Sequence, residues 1–325
     1  MSKRRMNKSI VTTLLRPFAT GVPHAMLTGQ TLMYDGQPFL YRHREREAIL
    51  CLNAKAGSTA WKLVLQRAIL GVPLTAIKQA HYAPASRSFR AAAARPEVPR
   101  FIMVRNPYSR LLSGYLEKVL RVAKFERKLR KGGKLFRGRY PRHFNTSNAS
   151  LNPIAGFASF VHACIRDSDQ LDFHFQLQSE QCHVGVGAYD YVLPVELMER
   201  WFKPFVATLG LEQIVASGWA VRTGLWRGHT ECFYAPPGRT CDWLMDTRST
   251  LGDPAAWRPS SSPLSFATGA DAQLDHFYTP ALAAAVTSWA RSDLIVFGYP
   301  AWDGINGTEY LRGVLQHWQI TSLVN

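Results

Sequence analysis

Acidic residues and long apolar runs are scarce in this sequence. Its 325 residues contain 23 Asp or Glu against 39 Lys or Arg, which gives a net charge of +16 at neutral pH. Such an imbalance favours an anionic partner, either an acidic polymer or a charged surface. No run approaches the roughly twenty apolar residues that a helix needs to cross a bilayer, so we expect no transmembrane span.

Cysteine is also scarce, and none of the five cysteines forms a C-x-x-C pair. The cysteine and histidine residues between 162 and 183 fit no standard zinc spacing, so we expect no metal site. Cys51 belongs to a predicted buried strand, where we expect a free thiol. Cys232 and Cys241 flank a Pro-Pro-Gly turn that would allow them to form a bridge.

Several catalytic and binding signatures are missing. The Gly-x-Ser-x-Gly turn of serine hydrolases, the Gly-x-Gly-x-x-Gly turn of dinucleotide-binding folds and internal repeats are all absent. Zinc-finger spacings, RNA-binding consensus sequences and aromatic-basic repeats are absent too, so nucleic acid is a disfavoured partner. The basic charge therefore points to another kind of anion.

A short loop of small residues follows the first strongly apolar run. The run 48–52 is typical of a buried strand, and an amphipathic stretch continues to Leu70. Between them the loop comprises Lys55, Ala56, Gly57, Ser58 and Thr59. Backbone amides at the start of a helix attract anions, the lysine adds a mobile charge, and the hydroxyl groups add donors. The segment therefore predicts an anion-binding loop.

A second strand and helix repeat this architecture about fifty residues later. The run 101–104 predicts a buried strand, Arg105 follows it directly, and Pro107 suits the start of a helix. Ser113 lies eight residues after Arg105, which is about two helical turns. Both side chains would reach one phosphate only if the loop folds back over the helix start. Together the two segments predict the two halves of a site for a nucleotide phosphorylated at both ends.

Nucleoside-triphosphate P-loops are the obvious alternative. Their signature places the lysine after the glycine, whereas Lys55 precedes Gly57 and no Gly-Lys-Ser/Thr triplet supplies a magnesium ligand. A divergent nucleotide kinase is therefore disfavoured, but it stays an alternative, as does a noncatalytic polyanion-binding protein. Magnesium-dependent triphosphate binding would identify the kinase, and heparin-like binding without nucleotide binding would identify the polyanion-binding protein.

The order of these motifs resembles the sulfotransferases that use 3'-phosphoadenosine 5'-phosphosulfate. In that resemblance the loop 55–59 holds the 5'-phosphosulfate, while Arg105 and Ser113 hold the 3'-phosphate. The implied reaction is an in-line transfer of a sulfuryl group, in which Lys55 stabilises negative charge on the leaving phosphate. No metal is required for this chemistry.

The resemblance extends to the Golgi carbohydrate sulfotransferases of the chondroitin and dermatan type, over about 49–299. The block 101–118 is similar to the phosphate-binding block of that family. Further similar positions are 79–81, 157–161, 172–182, 189–192, Glu196 and 293–299. The family implies a carbohydrate O-sulfotransferase that acts on an anionic or neutral glycan. Its histidine position falls on His81, the expected base for the acceptor proton, and His174 is the second candidate.

Three positions depart from the family pattern. Ala54 replaces the proline before the loop lysine, Phe175 replaces a tryptophan, and the cysteine expected just after Cys182 is missing. The nucleotide-binding residues are unaffected by these changes. A local disulfide and the family's acceptor surface lose support.

We expect an α/β fold of the P-loop-like sulfotransferase kind, in which helices flank both faces of a central parallel sheet. The cofactor would lie at the carboxyl ends of the first and third strands. A single domain is expected over residues 48–325, after a basic N-terminal segment, 1–47. Long loop insertions, rich in Pro, Gly, Ser or Arg, are expected at 86–100, 132–153 and 228–269.

Charge and glycosylation motifs bear on partners and compartment. Residues 117–142 contain eleven Lys or Arg and two acids, which suits a sulfated or uronic-acid polymer, or peripheral contact with an anionic membrane. Residues 1–34 hold five basic residues and no acid, so an organelle-targeted or cytoplasmic chain is an alternative. The leading expectation, a Golgi or secretory lumen, rests on four Asn-x-Ser/Thr sequons. These begin at Asn7, Asn145, Asn148 and Asn306.

Overall fold

The computed structural model describes seven ranges of the chain: 36–70, 94–120, 152–183, 189–216, 221–222, 230–231 and 270–323. Their contacts divide them into two compact units. The first unit takes the described residues within 1–104, 182–267 and 319–325, and the second takes those within 105–181 and 268–318. Both units contain residues of the domain expected over 48–325.

Several sequence predictions fall on residues outside these ranges. The proposed base His81 and the N-terminal segment up to residue 35 are among them. The basic segment 117–142 and the three expected loop insertions lie outside the described ranges for the most part.

A four-stranded sheet forms the centre of the first unit. In spatial order its strands are β1 (Pro38–His43), β2 (Arg46–Leu52), β3 (Arg100–Val104) and β4 (Tyr191–Pro194). β2, β3 and β4 run parallel, while β1 pairs antiparallel with β2 along its whole length. The apolar runs of β2 and β3 are buried, which is typical of parallel strands.

This sheet confirms the expected α/β class and corrects two details. The sheet is mixed rather than wholly parallel, because β1 forms an antiparallel hairpin with β2. The boundary expected at residue 48 falls inside β2, and the sheet begins at Pro38, within the segment assigned to the basic N-terminus. The hairpin satisfies backbone groups of β2 that an edge strand would leave without ladder partners.

Nine α-helices occur in the described ranges. They are α1 (Ser58–Leu70), α2 (Pro107–Gly114), α3 (Pro153–Arg166), α4 (Met198–Leu209), α5 (Glu212–Ala216), α6 (Leu274–Phe277), α7 (Pro280–Trp289), α8 (Arg291–Phe297) and α9 (Gly307–Leu323). None of these nine is long and apolar enough to cross a bilayer. A separate pair of short strands, β5 (Val221–Arg222) and β6 (Thr230–Glu231), is antiparallel.

Aromatic packing fixes α1 in the first unit. Trp61 of α1 lies against Trp201 and Phe205 of α4, with ring centroids 5.9 and 5.0 Å apart. Burial of large rings is a major source of packing energy. The cluster therefore holds α1, and with it the end of the loop that follows β2.

Another aromatic cluster forms the centre of the second unit. Tyr108 of α2 meets Tyr278 and Trp302 edge-on, with ring centroids 5.9 and 5.5 Å apart. The helix expected after Pro107 is confirmed, although its continuation, Tyr115–Leu120, is a π-helix. A π-helix spaces side chains differently from the 3.6-residue period on which the sequence prediction rests.

A disulfide joins Cys51 of β2 to Cys182, and both cysteines belong to the first unit. The expectation of a free thiol at Cys51 is therefore wrong, because a distant segment brings a partner to the buried strand. Within the described ranges Cys164 is the free cysteine, and its burial raises the pKa of its thiol. The bridge suggested for Cys232 and Cys241 lies outside the described residues.

Candidate functional site

The loop after β2 has an uncommon backbone conformation. Lys55 has a φ of 67° and Gly57 a φ of 76°, so both lie in the left-handed region. This region suits glycine, whereas for other residues it costs about 1–2 kcal/mol. A hydrogen bond of 3.1 Å from the Ala56 amide to the Asn53 carbonyl closes the turn. Strained backbone is concentrated at ligand-binding sites, and here it falls on the predicted loop lysine.

α1 begins directly after this loop, at Ser58. The first turn of α1 contains no acidic residue, and the first amides of a helix have no acceptor within it. The Ser58 side chain is buried, while Lys55 and Thr59 are partly exposed. Amides, hydroxyl groups and a lysine thus gather at this helix end, which is the composition of an anion-binding site.

Asn53, to which no sequence motif assigned a role, anchors the start of the loop. Its side chain is fully buried, and Nδ2 donates to the Met103 carbonyl of β3 over 3.0 Å. The loop after β2 is therefore tied to the neighbouring strand at its carboxyl end. The signal in the sequence is an asparagine directly after an apolar run, but its partner is 50 residues away.

Arg105, the residue that follows β3, is held at both its backbone and its side chain in the second unit. Its amide donates to Gln178 Oε1 over 2.8 Å, and its carbonyl accepts from Gln178 Nε2 over 2.7 Å. Its Nη2 donates to both carboxylate oxygens of Asp271, at 3.0 and 2.9 Å. The guanidinium end is thus oriented by a carboxylate, and only 13% of the side chain is exposed.

Asp271 belongs to a 3-10 turn, Ala270–Gln273, in the second unit. Desolvation of its carboxyl group alone would raise the pKa, but the positive charge of Arg105 and hydrogen bonding outweigh that effect. The pKa of Asp271 is therefore lowered. The carboxylate stays ionised at neutral pH and pairs with Arg105. Sequence reasoning did not find this residue, because 166 positions separate the two partners.

Ser113 lies in the last turn of α2 and is buried. The start of the same helix is capped by Asn106, whose side chain accepts from the amides of Tyr108 and Ser109. Pro107 occupies the first helical position, where the missing amide donor costs nothing. The structure thus confirms the helix that carries Ser113. The meeting of Ser113 and Arg105 at one phosphate stays a prediction.

His174, the second candidate base, forms a pair with Asp172. Its Nδ1 is bonded to Asp172 Oδ1, and its backbone amide donates to the same oxygen over 3.0 Å. Only 7% of the histidine is exposed. A carboxylate on Nδ1 fixes the tautomer of the ring, so that Nε2 becomes the nitrogen able to take a proton.

Arg110 supports the segment that carries this pair. Its buried guanidinium donates to the carbonyls of Gln176 and Phe173, over 2.7 and 3.2 Å. Two donors from one rigid fork hold the backbone on either side of His174. Sequence reasoning placed Arg110 only within the block similar to the family, without a role. In the described part of the chain, no group of three His, Cys, Asp or Glu residues is arranged to hold a metal ion.

Comparisons with known proteins gave one match. A family model described as sulfotransferase family matches residues 40–221, more than half of the chain. The match contains the loop at Lys55, the strand and helix around Arg105, and the segment of His174. No curated protein and no solved structure matches this chain.

Proposed function

This chain belongs to the sulfotransferase family, and we propose that it transfers a sulfuryl group from 3'-phosphoadenosine 5'-phosphosulfate to a hydroxyl group of a carbohydrate. Family membership supports sulfuryl transfer in general, while the donor and the acceptor are our proposal. The observation that carries the proposal is the loop at Lys55. There a lysine with a left-handed backbone conformation precedes a helix that has no acidic residue in its first turn. This composition suits the 5'-phosphosulfate of the donor.

Two groups of residues would bind the two phosphorylated ends of the sulfuryl donor. The loop 55–59 would bind the 5'-phosphosulfate, and Arg105 and Ser113 the 3'-phosphate. When bound, the nucleotide supplies the sulfuryl group and keeps the electron pair of the broken sulfur–oxygen bond. Lys55 would neutralise the negative charge that grows on this leaving phosphate, which lowers the barrier more than it strengthens binding of the ground state.

The acceptor hydroxyl must lose its proton, and two histidines are proposed for this step. The family resemblance assigns the base to His81. His174 is the second candidate, and its pairing with Asp172 supports a role in holding the acceptor or taking its proton.

The acceptor and the compartment are inferred from charge and cysteine chemistry. The basic segment 117–142 supports an anionic glycan as acceptor, although a neutral glycan stays open, as does peripheral contact with an anionic membrane. The disulfide between Cys51 and Cys182 supports maturation in an oxidising compartment such as the secretory lumen. A Golgi sulfotransferase fits both inferences.

A thermal-shift comparison tests the nucleotide assignment. We expect 3',5'-adenosine bisphosphate to raise the melting temperature without divalent metal, because a ligand of the native state stabilises it by mass action. ATP with magnesium is the matched control. Stabilisation by ATP only with magnesium would indicate a kinase, and binding of heparin without any nucleotide effect would indicate a polyanion-binding protein. Transfer of labelled sulfate to a glycan mixture then tests the reaction itself.

A further inference from the structure

Gln178 contacts the backbone of Arg105 as a neighbouring strand would. Its side-chain amide accepts from the Arg105 amide over 2.8 Å and donates to the Arg105 carbonyl over 2.7 Å. Arg105 is the first residue after β3, where the ladder of the sheet stops. The fully buried Gln178 side chain therefore fixes the backbone just where the arginine leaves the strand.

A buried carboxylate holds Gln178 in turn. Asp293 of α8 is 1% exposed, and its Oδ2 accepts from the backbone amide of Gln178 over 2.8 Å. Its Oδ1 accepts from the Ser179 amide over 2.7 Å. Burial of a carboxylate is costly unless the group is well hydrogen-bonded, and these amides provide that compensation. Asp293, Gln178 and Arg105 thus form a continuous chain of hydrogen bonds within the second unit.

We propose that Gln178 is a positioning residue for nucleotide binding, and that Asp293 acts through it. The proposal rests on the proposed function, in which Arg105 binds the 3'-phosphate. Gln178 orders the arginine backbone through both of its hydrogen bonds, so less loop freedom remains to be lost when the nucleotide binds. Asp293 keeps the Gln178 backbone amide in place.

The test compares two glutamines of the same segment. Gln178→Met keeps the side-chain length but removes both bonds to Arg105, and we expect about a three- to tenfold weaker affinity for 3',5'-adenosine bisphosphate by calorimetry. Gln176→Met is the matched control, because the Gln176 side chain donates to the Leu171 carbonyl. We expect its affinity to stay within about twofold of wild type. Equal affinities for Gln178→Met and wild type would overturn the proposal.

A double-mutant cycle with Arg105→Ala separates positioning from general structure. If Gln178 acts through the arginine, Gln178→Met has no further effect on affinity in the Arg105→Ala background. Additive losses would mean that Gln178 supports the fold in general, which overturns the proposal. An unchanged affinity in Arg105→Ala alone would overturn both this proposal and the assignment of the 3'-phosphate.

A second variant, Asp293→Asn, tests the proposal if Gln178→Met does not fold. Asp293→Asn keeps the side-chain volume and one acceptor oxygen, so it loosens Gln178 without emptying the site. We expect the same direction of change and the same loss of effect in the Arg105→Ala background. In steady-state kinetics the weakened binding should raise KM for the sulfuryl donor while kcat changes little. A fall in kcat at unchanged KM would contradict a role in binding.

Discussion

Cys51 and Cys182 are covalently joined although 131 positions separate them in the sequence. Cys51 is fully buried in β2, and Cys182 is 1% exposed. The Cys182 amide also donates to the Gly36 carbonyl over 2.7 Å, next to the start of β1. The bridge therefore ties the residues before β4 to the β1–β2 hairpin.

Removal of this bridge should destabilise the protein. We expect the double variant Cys51→Ser/Cys182→Ser to lose about 2–5 kcal/mol of unfolding free energy, because the closed loop no longer restricts the unfolded chain. Denaturant titration measures the loss, and Cys164→Ala, which leaves the bridge intact, is the control. Peptide mapping without reductant should recover a cross-linked pair containing residues 51 and 182. Equal stability of the double variant and the control would contradict the expectation.

Short sequence windows predict the elements that carry the motifs. β2, β3 and the helix after Pro107 lie where the apolar runs and the proline place them, because neighbouring residues decide such patterns. β1 cannot be predicted in this way, since its six residues lie in a basic segment without a long apolar run. The π-helix after α2 cannot be predicted so either, because its spacing breaks the helical period.

The contacts that support the site cannot be predicted from short stretches of the sequence. Gln178 lies 73 positions from Arg105, Asp271 lies 166 positions from it, and Cys182 lies 131 positions from Cys51. Nothing local indicates which of several glutamines, aspartates or cysteines supplies the partner. The residues proposed to bind the nucleotide are therefore predictable by motif, whereas those that orient them need the fold.

Lys55 offers a test that separates stability from activity. Its left-handed backbone is strained, so Lys55→Gly should be about 1 kcal/mol more stable than Lys55→Met, which keeps the strain. Both variants remove the charge proposed to meet the leaving phosphate, and turnover should fall by about 10²–10³-fold. Sulfate-transfer assays and denaturant titrations measure the two effects. Wild-type turnover in Lys55→Met would remove the lysine from the mechanism.

Asp271 should weaken the attraction of Arg105 for phosphate, because it neutralises part of the guanidinium charge. We expect Asp271→Ala to bind 3',5'-adenosine bisphosphate up to about fivefold more tightly at low ionic strength, with the gain fading as salt screens the charges. Calorimetry at two salt concentrations measures this. The lowered pKa of Asp271 keeps its carboxylate ionised in neutral buffer, so pH changes near neutrality should not reproduce the effect. Weaker binding would show instead that Asp271 mainly orients the arginine.

Asn306 should carry a glycan if the protein matures in the secretory lumen. Asn306 and Thr308 of this sequon are exposed just before and within the first turn of α9. The Asn306 Oδ1 accepts from the Glu309 amide, and its Nδ2 donates to the Glu309 carboxylate. A glycan on Nδ2 leaves the Oδ1 contact intact and keeps one N–H on Nδ2 for the carboxylate. Expressed through a secretory pathway, Asn306→Gln and Thr308→Ala should each lose one glycan by mass, while Thr308→Ser keeps it. A mass without glycan at Asn306 in the wild-type protein would contradict the assignment.

The two candidate bases can be separated by turnover and pH profile together. His81→Ala should lower turnover by about 10²–10⁴-fold and leave the affinity for 3',5'-adenosine bisphosphate nearly unchanged, because a base acts on the acceptor proton and not on the nucleotide. Removal of the base should also abolish the rise of kcat with pH that its deprotonation produces in the wild-type enzyme.

His174→Ala should lower turnover as well but keep that rise, if His174 only holds the acceptor. Asp172→Asn then supplies the matched control, since it keeps the imidazole and removes the carboxylate that fixes its tautomer. If His81→Ala turns over like the wild type while His174→Ala is folded, binds nucleotide and is inactive, the proton goes to His174 and the position of His81 in the family pattern has misassigned the base.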